Sequence, residues 1–159
     1  MLKVLVQFRV LVRSMSWHYR QVERECGVSG AQVWAMAQIA ASSGITVGEL
    51  ARQLAIHQST ASNMLETLER AGLVDRRRAA HDRRVVQLYL TPQARRVLRR
   101  APKPLRGALQ QALLDLSPQA LRSLHDSLDK VLRRMKLQET GAKSLLLAQI
   151  IGRHEARSP

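Results

Sequence analysis

Between Thr46 and Val74 the chain reads TVGELARQLAIHQSTASNMLETLERAGLV, a pattern that few folds accommodate. Thr46 and Glu49 have the spacing of a capping box, so a helix is predicted to begin at Val47. Leu50, Ala51, Leu54 and Ile56 give that helix an apolar face. A second apolar face follows in Ala61, Met64, Leu65, Leu68 and Ala71, and Gly72 ends its helix as the C′ residue. Next come a strand from Leu73 to Arg76, a basic tip from Arg77 to Arg83, and a strand from Val85 to Leu90. Two short helices with a tight joint and a charged hairpin behind them make the plan of a winged helix-turn-helix. In such a unit the second helix can lie in a DNA groove.

The outer side of that second helix fits the reading. Ser59, Asn63, Glu66 and Arg70 lie opposite its apolar residues, flanked by Thr60, Ser62 and Thr67. Short hydroxyls and an amide can approach base edges closely and exchange hydrogen bonds with them, whereas a merely solvated face would carry Lys and Glu. Gln58, Ser59, Thr60, Ser62 and Asn63 are therefore the residues expected nearest bases or phosphates. The competing reading makes the hydroxyls simple helix-start residues. His57 stands at the N-cap, where Ser, Asp or Asn would be preferred, and could instead face a phosphate. In the hairpin, Arg76, Arg77, Arg78, Arg83 and Arg84 offer guanidinium groups to a minor groove or to phosphates, against the alternative of a solvated charged loop. Asp82, an anion, is assigned to orienting Arg84 or a neighbouring arginine through a charge-assisted hydrogen bond.

LERAGLVDRR followed by HDRRVVQLYLT resembles the wing region of the multiple antibiotic resistance regulator (MarR) family of bacterial transcription factors, with Asp82 and Arg84 eight residues ahead of Leu90-Thr91. The likeness is clear from about Gly27 to Thr91 and looser in the flanks. It implies a mainly α-helical homodimer with a small β-hairpin wing, N- and C-terminal helices intertwined between subunits, and Arg83 and Arg84 at the wing tip. It also implies a double-stranded, pseudo-palindromic operator as partner and a small-molecule or oxidative signal that releases the protein. An effector in the cleft between domains would meet the first helix near Met15, Trp17 and His18.

The 159 residues divide into an N-terminal dimerisation helix (1–28), the winged helix-turn-helix (29–91) and C-terminal dimerisation helices (92–159). Lys and Arg number 26 against 12 Asp and Glu, a net charge of +14 concentrated between Arg76 and Arg100, which points to a polyanionic partner. Aromatics are only 3%, so Leu, Val and Ala must fill the core. A single cysteine excludes an internal disulfide framework and suits a reducing cytoplasm. The opening MLKVLVQFRVLV is interrupted by Gln7 and Arg9 and lacks a cleavage site, so neither a signal sequence nor a membrane span is expected.

Residues 2–24 read as one helix with a seam at Leu5, Phe8, Val12, Met15, Tyr19 and Val22. Leu121, Leu124, Leu128, Val131 and Met135 repeat the stepping after Ser117-Pro118, and the pair suggests a helical dimer interface. Ser29 and Gln32 cap a helix running to about Ser42, with Val33, Trp34, Met36, Ala37 and Ile39 apolar. Thr91-Pro92 starts another, which Pro102 and Pro104 should break near Ala101, unlike the long unbroken helix of the family. Gly141 sets off a last apolar helical patch, Leu145 to Ile151.

Cys26, beside Arg24 and near Tyr19, is either a redox switch of the kind some MarR-like repressors carry or an idle thiol at a helix end. The five histidines show no metal-ligand spacing, no cofactor is implied, and no phosphate loop, nucleophile elbow or zinc-protease run argues for an enzyme. Two rivals to a sequence-specific repressor stay open. One is an architectural DNA binder without sequence preference; the other is a winged-helix module that meets an acidic protein.

Overall fold

A computed structural model describes residues 1–79, 82 and 84–135. The element order is α1 (Leu2–Cys26), α2 (Gly30–Ala41), α3 (Val47–Gln53), α4 (Gln58–Arg70), β1 (Val74–Arg78), β2 (Val86–Leu90), α5 (Pro92–Arg100), α6 (Ala108–Leu114) and α7 (Pro118–Arg134). The fold is thus helical with one antiparallel hairpin, in which Val74 pairs with Leu90 and Arg78 with Val86.

Local chemistry sets most boundaries. Both capping boxes form: the Gln32 main-chain N–H donates to Ser29 Oγ at 3.3 Å while Ser29 N–H donates to Gln32 Oε1 at 2.8 Å. Thr46 and Glu49 repeat the arrangement at 2.9 and 3.3 Å, and these bonds hold the Glu49 carboxyl below the usual carboxylate range. At the exit of α4, Gly72 takes φ 67°, and Leu73 N–H reaches Leu68 O while Gly72 N–H reaches Glu69 O, a Schellman closure. α3 closes in the same way, with Ile56 N–H on Ala51 O and Ala55 N–H on Arg52 O. There the left-handed position is held by Ala55, at φ 55°, where its Cβ is strained.

The core is centred on the winged unit. Met36, Ile39, Leu50, Leu54, Leu65, Leu68 and Leu88 are fully buried, joined by Met15, Tyr19 and Val22 from the second half of α1. Gly30 lets α1 and α2 touch, since a Cβ there would overlap the Tyr19 ring. Ala71, expected on the apolar face of α4, is exposed instead, because the helix ends at Arg70 and Ala71 has turned away as its C-cap.

Two features lie outside the sequence reading. Gly44 N–H donates to Leu88 O and Leu88 N–H to Ile45 O, with a bridge between Thr46 and Gln87, so the segment before α3 adds a short third rung to the hairpin. The first strand also runs two residues further than expected: Arg77 and Arg78 pair with Gln87 and Val86 rather than forming the tip. Three consecutive arginines read as a solvated loop in sequence, but ladder bonds made by the backbone are indifferent to side-chain charge.

α5 stops at Arg100, and Ala101 is extended at φ −61° and ψ 135°, as the prolines that follow require. Neither α6 nor α7 contains a buried residue. The apolar patch from Leu145 to Ile151 falls outside the described residues.

Candidate nucleic-acid interface

α4 is fixed from beneath by Ala61, Met64, Leu65 and Leu68, all buried, which leaves its opposite side to solvent. Gln58, Ser59 and Asn63 are exposed, and Thr60 and Ser62 are half-buried at the edges of that side. Thr67 Oγ1 is turned back onto the Asn63 carbonyl at 3.2 Å, and Arg70 Nε onto the Glu66 carbonyl at 3.3 Å. The Asn63 amide carries no such intrahelical bond among the described residues. His57 is the N-cap of α4 and makes no side-chain cap bond.

The wing arginines are not equivalent. On the face of β1 shared with buried Val74, Arg76 Nε pairs with Glu69 Oε2 of α4 at 3.2 Å. On the other face Arg77 reaches Asp75 at 3.4 Å and stacks over Tyr89, 4.8 Å from the ring centroid. Arg78 and Arg84 have no ion pair among the described residues and, together with Arg76, Arg77 and Gln58, line a groove of about 590 Å³. Thr46, Val47 and Gly48 form its other wall. The groove thus joins the start of α4 to the wing.

Asp82 Oδ1 accepts the main-chain N–H of Arg84 at 2.9 Å. The carboxylate closes the turn at the Arg84 backbone, and among the described residues it has no ion pair with a guanidinium group. Arg83 lies outside the described residues.

The sequence reading missed Glu69, Tyr89 and the Thr46–Gly48 wall. Glu69 and Tyr89 are legible only once strand register is known, since Tyr89 stands opposite Asp75 and diagonal to Arg77.

The surroundings of the first helix correct another expectation. Trp17 is exposed, at 61%, but Met15 and His18 are buried. His18 is hydrogen-bonded to the Pro104 main chain and packs edge-on to Tyr19; burial lowers its pKa, against a smaller upward pull from that bond. Tyr19 Oη in turn accepts from Gln110 Nε2 at 3.2 Å. The segment after α5 and the start of α6 thus cover the part of α1 expected to face a ligand.

Cys26 is partly buried beside Gly27, which ends α1 at φ 69°. Burial and the Glu25 carboxylate push its thiol up, outweighing Arg100. Among the described residues no group of His, Cys, Asp and Glu could hold a metal, and no helix is long and apolar enough to cross a membrane.

Comparison with known proteins agrees with this geometry. A sequence profile described as MarR family matches residues 27–85, and no curated protein sequence matches. Among solved structures, a MepR-like protein complexed with pseudoligands superposes with TM-score 0.58 at 19% identity, over 86% of this chain and 96% of that one. A mutant MepR from S. aureus bound to an oligodeoxyribonucleotide gives 0.54 at 22%, over 83% and 97%. The transcriptional regulator BldR from Sulfolobus solfataricus gives 0.55 at 25%, over 84% and 94%. Over residues 27–85 the chain resembles the MarR family in sequence, and over most of its length it shares the winged helix-turn-helix fold of these solved structures.

Proposed function

We propose that this protein is a sequence-specific regulator of transcription that binds double-stranded DNA as a homodimer and represses until a small molecule displaces it. The observation that carries the reading is the side of α4 bearing Ser59 and Asn63, exposed and continuous at Gln58 with a groove walled by Arg78 and Arg84. Hydroxyl and amide groups at one end, and at the other guanidinium groups without an ion pair among the described residues, divide base reading from phosphate and minor-groove anchoring. Gln58, Thr60 and Ser62 flank the reading face, and Arg83 extends the anchor. Arg76 and Arg77, already engaged by Glu69 and by Asp75 and Tyr89, support the hairpin.

Homodimerisation is supported by the apolar faces left open on α1 and α7. Leu5, Phe8, Leu121, Leu124 and Leu128 are between 37% and 44% exposed along helices that need a cover. Two copies would present two α4 helices to half-sites about one duplex turn apart. A ligand that altered their separation would lower affinity by differential binding to the two arrangements. The raised thiol pKa of Cys26 favours such a ligand over oxidation as the releasing signal.

The test is competition between a fragment of the protein's own promoter and random DNA across a salt series. A repressor requires a preference of at least about 10³. Equal binding to both would instead support an architectural DNA binder, and binding to neither an interaction module.

A further inference from the structure

α5 and α7 begin alike, each with Pro-Gln-Ala behind a hydroxyl cap, but their solvent faces differ. α7 mixes signs and pairs Arg133 with Asp129 at 2.9 Å. α5 buries Ala94, Val97 and Leu98 and exposes Arg95, Arg96, Arg99 and Arg100 with no acidic residue in the helix. None of the four has an ion pair among the described residues, and Arg96, Arg99 and Arg100 border one shallow depression of about 330 Å³. The spacing sets like charges three and four residues apart, an arrangement that weakens a helix. Arg99 and Arg100 gain from the negative end of the helix dipole, but Arg95 and Arg96 stand in its first half and do not. This is not how a merely solvated face is composed.

We propose that the arginine face of α5 is a second phosphate-backbone site, separate from the wing, which engages DNA beyond the segment read by α4. The inference rests on the DNA-binding reading above. A protein partner is the poorer fit, since stable protein interfaces need an apolar centre and the exposed residues here are Pro92, Gln93 and the arginines. Guanidinium groups without apolar neighbours match a polyanion held by charge alone. The face is also fixed to the reading unit: Thr91 Oγ1 donates to the Gly72 carbonyl at 2.8 Å, which ties the start of α5 to the end of α4. The phosphates can belong to flanks of the same duplex or to a second duplex.

The test uses the full chain with a duplex of about 20 bp enriched from a random pool, alone and lengthened by roughly one turn at each end. For flanking contacts, the wild-type plot of log affinity against log salt is steeper on the longer duplex by roughly 0.9 per phosphate engaged, and R95Q/R96Q/R99Q removes the difference. For a second duplex, the wild type takes up twice the number of short duplexes per dimer that the variant does. A variant that keeps both the wild-type slope on long DNA and the wild-type stoichiometry on short DNA overturns the proposal. A thermal midpoint at or above wild type establishes that the variant is folded. If the pool yields no preferred sequence, the sequence-specific reading fails by itself, and the same measurements on one fixed random duplex in both lengths still decide the role of α5.

Discussion

Leu65 in α4 and Leu124 in α7 occupy equivalent places on the apolar stripes of amphipathic helices, yet Leu65 is fully buried and Leu124 is 37% exposed. The difference is in what surrounds them. α4 is closed in by α3 and β1, with Leu50, Leu54 and Val74 in the same core, so the winged unit completes its own core. α1 is divided between the two conditions: Met15, Tyr19 and Val22 are buried in that core, while Leu5, Phe8 and Val12 on the same seam stay open. A helical stripe is therefore no guide by itself to where its cover comes from. Here one chain supplies the cover for the reading unit, and in the proposed homodimer a second copy would supply the rest.

The sharpest way to break this comparison is to charge the open stripe. Leu124→Asp with Leu128→Asp would place anions in the proposed dimer interface, and the dissociation constant is expected to rise by at least about 10³. Sedimentation at micromolar concentration should then show monomers that keep a cooperative unfolding transition. An intact dimer would mean that α7 does not face its partner.

The converse change is Leu65→Ala, expected to cost about 2–5 kcal/mol in urea unfolding through the cavity left in the winged core. A cost below about 1 kcal/mol would show that α4 is not held as described.

His18 probes the boundary between the two regions, because it joins α1 to the segment after α5. Its folded pKa lies below the ordinary value of 6.5, so its contribution to stability is present above that value and is lost as pH falls through the folded pKa. The thermal midpoint should fall on acidification from pH about 7.5 to about 5, and His18→Gln should flatten that fall. An equal slope in both proteins would remove His18 from the account.

The smallest effect belongs to the helix-turn-helix joint. Ala55→Gly should stabilise by about 0.5–1 kcal/mol, relief of the left-handed strain exceeding the added chain entropy, as measured by denaturant midpoint. A destabilised variant would mean that the joint is not strained at Ala55.

What was legible in the sequence divides along the same line. The capping boxes at Ser29 and Thr46, the Gly72 closure and the buried side of α4 are local matters, decided within a few residues of chain, and they were legible. The extension of β1 through Arg78, the rung at Gly44–Thr46 and the burial of His18 depend on partners far along the chain, which composition cannot report. The same holds within the candidate interface. Asn63 could be placed on the open side of α4 from spacing alone, whereas the pairing of Arg76 with Glu69 and the stacking of Arg77 on Tyr89 follow from register and packing.

The most direct test is what the full chain selects from a pool of random duplexes. An inverted repeat with half-sites about 10 bp apart is expected, and Asn63→Ala should change the enriched bases while Arg84→Ala weakens every site and lowers the salt slope by about 1. Enrichment of a single unrepeated half-site, or the same preferred bases with Asn63→Ala as with the wild type, would contradict it.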